Sequence, residues 1–293
     1  MSETEVKNQV RQFYNQVGWK MLSDGFYQNA RYEDLRSVSR EYIQRCHLRV
    51  NRHIAATGRL LLDAGSGPVQ YPEYLTYSEL YDYRVCVDIS IVALQEARQR
   101  VAERGLYVVA DVAHLPFRDN VFDAEVSLHT LHHLPAVDKK PAYLELYRVL
   151  MPGRSAVVVN GWTESGLMKL SFWLVRLMEG IGTWIAEKRG KQEKKAKFGT
   201  GPQNKTDQQP TGTYIQKLSP EWMEAEIAQC LPYQTFVWRS VNVRFLRALV
   251  HQPLAGKYFL RLLYAVEELA PEFFGRHGQY PLIVIKKPTD IIR

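Results

Sequence analysis

The stretch RLLLDAGSGPVQYPEYL, residues 59–75, decides how the rest of the chain is read. Residues 60–63 have the apolar density of a buried strand ending on Asp63, and they run straight into Gly65, Ser66 and Gly67. A turn needs one glycine at most. Two of them after an acid let the backbone turn sharply and let a ligand approach with no Cβ in the way. If this strand is the first of a doubly wound sheet, the ligand crevice lies beyond its carboxyl end. A tight strand-to-helix turn without a ligand is the plain alternative for the glycine pair taken alone.

Outward from this point, strand and helix signals alternate. Strands are expected over 60–63, 84–88, 107–111, 122–128 and 155–160, with helices between them. The clearest helix spans 91–104, with Ser90 as N-cap and Gly105 as its stop; another spans about 137–150 and ends in Met151-Pro152-Gly153. Such alternation implies βαβ units and a parallel sheet, hence an α/β fold. Upstream, VKNQVRQFYNQVGWK and RSVSREYIQRCHLRVNRHIA have helical apolar spacing, separated by the turn-rich SDGFYQNARYED. Downstream of Asn160, GLMKLSFWLVRLMEGIGTWIAEK reads as an amphipathic helix, followed by a basic run and the polar FGTGPQNKTDQQPTGT, a loop by composition. Regular structure resumes with SPEWMEAEIAQCL, capped by Ser219 with Pro220 in its first turn. The strand QTFVWRSVNV, helices near 244–270 and a last strand, YPLIVIKK, follow.

Bulk properties bound the function classes. The 293 residues are 46% hydrophobic with a mean hydropathy of -0.30, the profile of a soluble globular chain. No apolar run approaches the length of a bilayer span, and the first twenty residues carry Glu3, Glu5, Lys7 and Arg11 with no apolar core, unlike a secretory signal. Cys46, Cys86 and Cys230 lie far apart and form no metal or redox pair, which fits a reducing cytoplasm. Net charge is +7, and EKRGKQEKKAK at 187–197, with six Lys/Arg against two Glu, supplies more than half of it.

Two further acids extend the first signal. Asp88 ends the second expected strand, 25 residues after Asp63, and an acid there accepts hydrogen bonds from ribose hydroxyls in nucleotide-binding sheets. Asp111 ends the third. Three acids at successive strand ends line one edge of a crevice; helix capping is the alternative for each alone.

Four stretches in order, LLDAGSGP, VCVDIS, VVADVAHLPFRDNVFDAEVSLHTLHHL and ELYRVLMPGRSAVVV, make the chain resemble the Rossmann-like (class I) S-adenosylmethionine-dependent methyltransferases, in particular the small-molecule and quinone-biosynthesis group. The third stretch is the most specific, and the match covers about 60–160. The resemblance implies a doubly wound, seven-stranded, mostly parallel sheet with an N-terminal helical lid and helical insertions. On that reading residues 1–58 form the lid, 59–160 the cofactor-binding half, 161–217 a helical insertion with a basic loop, and 218–293 the remaining half. It also implies S-adenosyl-L-methionine as cofactor and S-adenosyl-L-homocysteine as product. Asp63, Gly65 and Gly67 would flank the methionine moiety, Asp88 the ribose and Ile89 the adenine. Asp111 and the Val112 backbone would meet the adenine amino group, while Leu128 and His129 would border the methyl. The family often has a third glycine where this chain has Val69.

Methyl transfer needs alignment and sometimes a base, and His129 and His133 in HTLHHLP are the candidate catalytic residues. No metal is expected. Tyr14, Trp19 and Tyr27 resemble the family's lid aromatics. Aromatics such as Phe172, Trp173, Trp184 and Phe245 point to an apolar or aromatic small-molecule acceptor, quinone- or lipid-like. The amphipathic helix and basic run have three readings: a packed helix with a solvated tail, contact with an anionic membrane surface, or, ranked last, a nucleic-acid contact. The alternatives to a small-molecule methyltransferase are a nucleic-acid methyltransferase using 187–197, a NAD-dependent Rossmann enzyme, and a cofactor-binding protein without turnover. Gln70 breaks the dinucleotide pattern of the NAD reading.

Overall fold

Alternate residues of each strand are apolar on both sides, Leu61 against Leu62 in the first, so the sheet must be covered on both faces. The computed structural model describes residues 3–19, 33–188 and 213–289. Seven strands, β1 (Gly58–Ala64), β2 (Tyr81–Asp88), β3 (Gly105–Val109), β4 (Phe122–Leu128), β5 (Leu150–Val159), β6 (Tyr233–Arg239) and β7 (Tyr280–Lys286), form one sheet in the order β3-β2-β1-β4-β5-β7-β6. β1 to β5 pair in parallel, and β7 lies antiparallel between β5 and β6. The helices are α1 (Glu3–Phe13), α2 (Ser37–Leu48), α3 (Pro72–Leu75), α4 (Ile91–Val101), α5 (Ala136–Val149), α6 (Gly166–Lys188), α7 (Pro220–Glu226), α8 (Val243–Leu249), α9 (Gly256–Leu269) and α10 (Pro271–His277).

Leu62, Ala64 and Val158 pack with Leu146 of α5 and Met223 of α7 on one face. Leu61, Cys86 and Val157 pack with Tyr74 of α3 and Ala97 of α4 on the other. A separate core joins α2, α6, α8 and α9 through Ile43, Val175, Leu246 and Leu260. Strand order reverses on either side of β1, with β2 and β4 leading away in opposite directions. The crevice at their carboxyl ends is therefore the switch point where such sheets take ligands. Among the described residues no helix is long and apolar enough to cross a membrane.

Several expected boundaries move. The helix after Ser90 ends at Val101, where Ala102 reverses the chain with φ 56°, so Gly105 is not its stop. Gly105 instead opens β3, where a Cβ would lie 1.8 Å from the Tyr107 hydroxyl. β3 stops at Val109, which leaves Asp111 beyond the strand rather than at its end. Met151-Pro152-Gly153 belongs to β5, whose pairing with β4 begins at Leu150. The helix from Pro220 covers one side of the expected segment only, ending at Glu226. Tyr27, most of the basic run at 187–197 and nearly all of the polar loop after it lie outside the described residues.

Candidate functional site

The turn after β1 takes the path its glycines allow. Gly65 and Gly67 have φ of 74° and 53°, in the left-handed region that side chains disfavour. A Cβ on Gly65 would come within 2.1 Å of the Thr130 methyl, so this position must be glycine for β1 and the loop after β4 to approach. The Gly65 and Ser66 N–H groups donate to the Val87 carbonyl of β2 at 2.7 and 3.0 Å. Val69, where a third glycine was expected, keeps the glycine-like backbone at φ 52° while its side chain is fully buried. Left-handed strain of about 1–2 kcal/mol is offset by burial of a valine, about 2 kcal/mol.

The three acids differ in their surroundings. Asp63 is buried against Arg84 of β2, whose Nε donates to its Oδ2 at 3.0 Å and whose terminal NH2 group donates to the same oxygen at 2.5 Å. Asp88 accepts from the Gly67 N–H at 2.9 Å on one oxygen and from the Ser90 N–H at 2.8 Å on the other, tying the glycine turn to the start of α4. Burial pushes its carboxyl up to about 6, against the pull of those N–H donors. Asp111 accepts from the Ala113 N–H at 2.9 Å and pairs with Lys7 at 2.7 Å. Ile89 is half-buried between Asp88 and Ser90, and the Val112 side chain is buried in the core.

The N-terminal segment lies on this crevice. Lys7 of α1 bridges Asp111 and Asp138, each at 2.7 Å, which holds its ammonium well above the ordinary range despite partial burial. Asn15 accepts from the Ser90 hydroxyl at 2.6 Å. The Trp19 indole lies where a Cβ on Gly67 would meet it at 3.0 Å, and it stacks on Tyr14 at 5.1 Å.

Opposite the acids stand the histidines. His129 follows Leu128 at the end of β4 with φ 56°, its N–H donating to Val159 at 2.7 Å and its ring edge-on to Trp238 and Tyr280. Burial, then the charge of Arg239, pulls it down to about 3. His133 Nδ1 lies 2.8 Å from the Tyr214 carbonyl, which can only accept, so Nδ1 carries the proton. Its Nε2 therefore accepts from the Tyr14 hydroxyl at 2.7 Å. Burial takes His133 down to about 4. Both rings are neutral at physiological pH.

Gly67 and Asp88 are thus joined at the switch point, Gly65 meets Thr130 past β4, and Asp111 lies just beyond β3. Leu128, His129 and His133 stand at or after the end of β4, while the Asp63 carboxylate is turned onto Arg84. Sequence reading missed Arg84, Lys7, Asn15, Thr130 and Asp138. An arginine inside the apolar YRVCVD was a visible signal for a buried acid partner. Nothing in the sequence links Lys7 to Asp111, 104 positions away.

Comparison with known proteins agrees with this geometry. A family profile described as a methyltransferase domain matches residues 62–158. A tRNA (carboxymethyluridine(34)-5-O)-methyltransferase of Arabidopsis thaliana is 26% identical over 168 residues, half of this chain and 40% of that protein. A demethylmenaquinone methyltransferase of Lactiplantibacillus plantarum is 43% identical over 63 residues, 22% of this chain and 26% of that protein. The chain thus spans less than half the length of these curated relatives. Among solved structures, Haemonchus contortus phosphoethanolamine N-methyltransferase 1, in complex with phosphoethanolamine and S-adenosylhomocysteine, shares the fold. Its TM-score is 0.59 at 10% identity, over all of this chain and 51% of that one. With β7 reversed between β5 and β6, the sheet also departs from the 3-2-1-4-5-6 order of dinucleotide enzymes, which sets the NAD reading aside. Over residues 62–158 the chain therefore carries a class I S-adenosylmethionine-dependent methyltransferase domain.

Proposed function

We propose that the protein transfers a methyl group from S-adenosylmethionine to an apolar or aromatic small-molecule acceptor at the histidine end of the crevice. The observation that carries this reading is the Asp88 carboxylate bound to the Gly67 N–H of the left-handed glycine turn at the switch point, with Asp111 just past the end of the neighbouring strand β3. The donor set fits the cofactor: carboxylates for an ammonium, two ribose hydroxyls and an adenine amine, beside a turn that presents no Cβ. In this reading Asp63, Gly65 and Gly67 hold the methionine end, Asp88 and Ile89 the nucleoside, and Asp111 with Val112 the adenine edge. The bound sulfonium would supply an activated methyl, so the protein's task is alignment and exclusion of water.

Lys7 already occupies Asp111 and Trp19 already covers Gly67, so binding requires the lid to shift. His133, with both nitrogens engaged, holds the lid through Tyr14 rather than standing ready as a base. His129 carries no such restraint and borders the acceptor, but a pKa near 3 makes it a weak base at neutral pH. Positioning then contributes more than proton abstraction.

An apolar acceptor is supported by the outer face of α6, where Leu170, Trp173, Leu177 and Trp184 are exposed at helical spacing. The same face suits peripheral contact with a membrane that holds such an acceptor. A second reading, methylation of RNA, is favoured by the Arabidopsis relative and the basic run at 187–197. Calorimetry with S-adenosylhomocysteine, with NAD as control, tests the cofactor. Label transfer from methyl-labelled cofactor to organic-extractable compounds or to RNA tests the acceptor. Binding of NAD alone sinks the proposal, and label appearing only in RNA moves it to the second reading.

A further inference from the structure

Beside the histidines, a cavity of about 530 Å3 opens between α5, the chain entering α6, the 216–222 segment and the end of α10. Its wall carries Lys139, Lys169, Lys217 and Arg276 against only two carboxylates, Glu164 and Glu221. Lys169 is spent on Glu164, and Arg276 acts on Glu221. Two lysines are left. Lys139 is 1% exposed, and its ammonium donates to the Gln216 carbonyl. Among the described residues no carboxylate pairs with Lys139 or Lys217. Desolvation draws both ammonium groups down, Lys139 to about 8.

Lysine is seldom taken out of water without a counter-charge, because an unpaired buried ammonium costs several kcal/mol. Lys139 is such a group, and Lys217, exposed on the same wall, adds a second positive charge, so the pair marks a place for an anion. The 214–217 segment, which supplies part of the cavity wall, is tied to the histidine cluster. The Gln216 N–H donates to the His132 carbonyl at 2.8 Å, and Tyr214 accepts from His133. Lys217 Cε lies 3.3 Å from where a Cβ on Gly161, just past β5, would stand, and its charge reaches His129 and His132. Leu218 and Trp222 give the same cavity an apolar wall.

We propose that this cavity seats an anionic group, a carboxylate or a phosphate, carried by the methyl acceptor, with Lys139 and Lys217 as its counter-ions. The acceptor is then an amphiphile, with its anion between the lysines, its apolar body against Leu218 and Trp222, and its reacting atom toward His129. The assignment to the acceptor rests on the methyltransferase reading above; the anion site itself does not.

The test uses the whole chain at constant ionic strength in chloride. Inorganic phosphate, phenyl phosphate and benzoate are titrated by calorimetry into the wild type, Lys217→Gln and Lys217→Arg, with S-adenosylhomocysteine titrated in parallel. Lys217 is exposed, so its variants are expected to fold. Saturable binding of at least one anion is expected, weakened about tenfold or more in Lys217→Gln, the loss of one charged hydrogen bond. Lys217→Arg should retain most of the binding, with S-adenosylhomocysteine affinity unchanged throughout. Phosphate against benzoate identifies the anion, and phenyl phosphate against phosphate measures the apolar wall. No saturable binding of any of the three, or equal binding in Lys217→Gln, overturns the proposal. Anion binding without S-adenosylhomocysteine binding would sustain the site while removing the methyltransferase reading; the reverse removes the anion site alone.

Discussion

On the proposed reading Asp88 meets the ribose of the cofactor, and its ionisation then sets a measurable pH window. The carboxyl is pushed from an ordinary 3.8 up to about 6 by burial, against the pull of the Ser90 and Gly67 N–H groups that it accepts from. Because an acid's folded value is raised, the folded chain holds this proton more tightly than the unfolded chain. Stability contributed by the site is full below 3.8 and falls as pH rises to about 6, by about 3 kcal/mol at about 1.4 kcal/mol per unit. Ligand binding runs the other way. On that reading ribose hydroxyls would donate to the ionised carboxylate, so the bound state would favour loss of the proton. With a free-protein value of about 6, the affinity for S-adenosylhomocysteine should be about tenfold weaker at pH 5 than at pH 7, and about twofold weaker at pH 6.

Asp88→Asn tests this cleanly. It keeps the shape, removes the charge, and at pH 7 should weaken binding about tenfold to a hundredfold, the range for losing one or two charged hydrogen bonds. One N–H, of Gly67 or Ser90, loses its acceptor in the variant. Thermal denaturation should therefore accompany the calorimetry to confirm a folded chain. The decisive comparison is the slope between about pH 5 and 7, which should be present in the wild type and absent in Asp88→Asn. A flat wild-type profile, or the same slope in the variant, would show that Asp88 does not meet the cofactor in its ionised form.

Two more predictions follow from buried charge. Glu125 of β4 is 0% exposed, neither oxygen has a hydrogen-bond partner among the described residues, and burial holds its carboxyl well above 4.5. Each pH unit above 4.5 then costs about 1.4 kcal/mol until the group ionises, so Glu125→Gln should gain on the wild type as pH rises from 4.5 toward 7. Denaturation of both proteins across that range checks it, and a difference that does not change with pH refutes the neutral carboxyl. In the N-terminal segment, Lys7→Met removes the ion pairs to Glu3, Asp111 and Asp138, worth about 1 kcal/mol together. Hydrogen exchange in α1 should accelerate about fivefold, while unchanged protection would mean that Tyr14 and Trp19 hold the lid without Lys7.

What could be read directly from the chain was whatever depends on neighbours in sequence. The strand-turn signal at Asp63–Gly67, the alternation that follows and the Ser90 and Ser219 caps are local properties of backbone and side chain, and the structure keeps them. The positive φ at Gly65 and Gly67 was legible because glycine is the residue that takes it readily. Where a non-glycine residue takes it, as at Val69 and His129, local preference gave no warning, because burial of the side chain or the backbone bond to Val159 supplied the compensation. Helix and strand ends moved for the same reason: β5 reaches back to Leu150 because β4 pairs with it there, and Asp111 leaves β3 because β2 offers no further partner.

The candidate acids and histidines were singled out by type and order, yet their electrostatic state was set by tertiary contact. Asp63 meets Arg84 across a strand pair, Asp88 meets two backbone donors, and Lys7 crosses the molecule to Asp111 and Asp138. Burial then lowers the histidines and Lys139 and raises Asp88 and Glu125, according to how much water each group loses and which charge replaces it. The sequence by itself determined the sheet, the glycine turn and the set of acids and histidines around it. Only the folded structure decided which of them carry charge, because desolvation and pairing depend on groups brought together from distant parts of the chain.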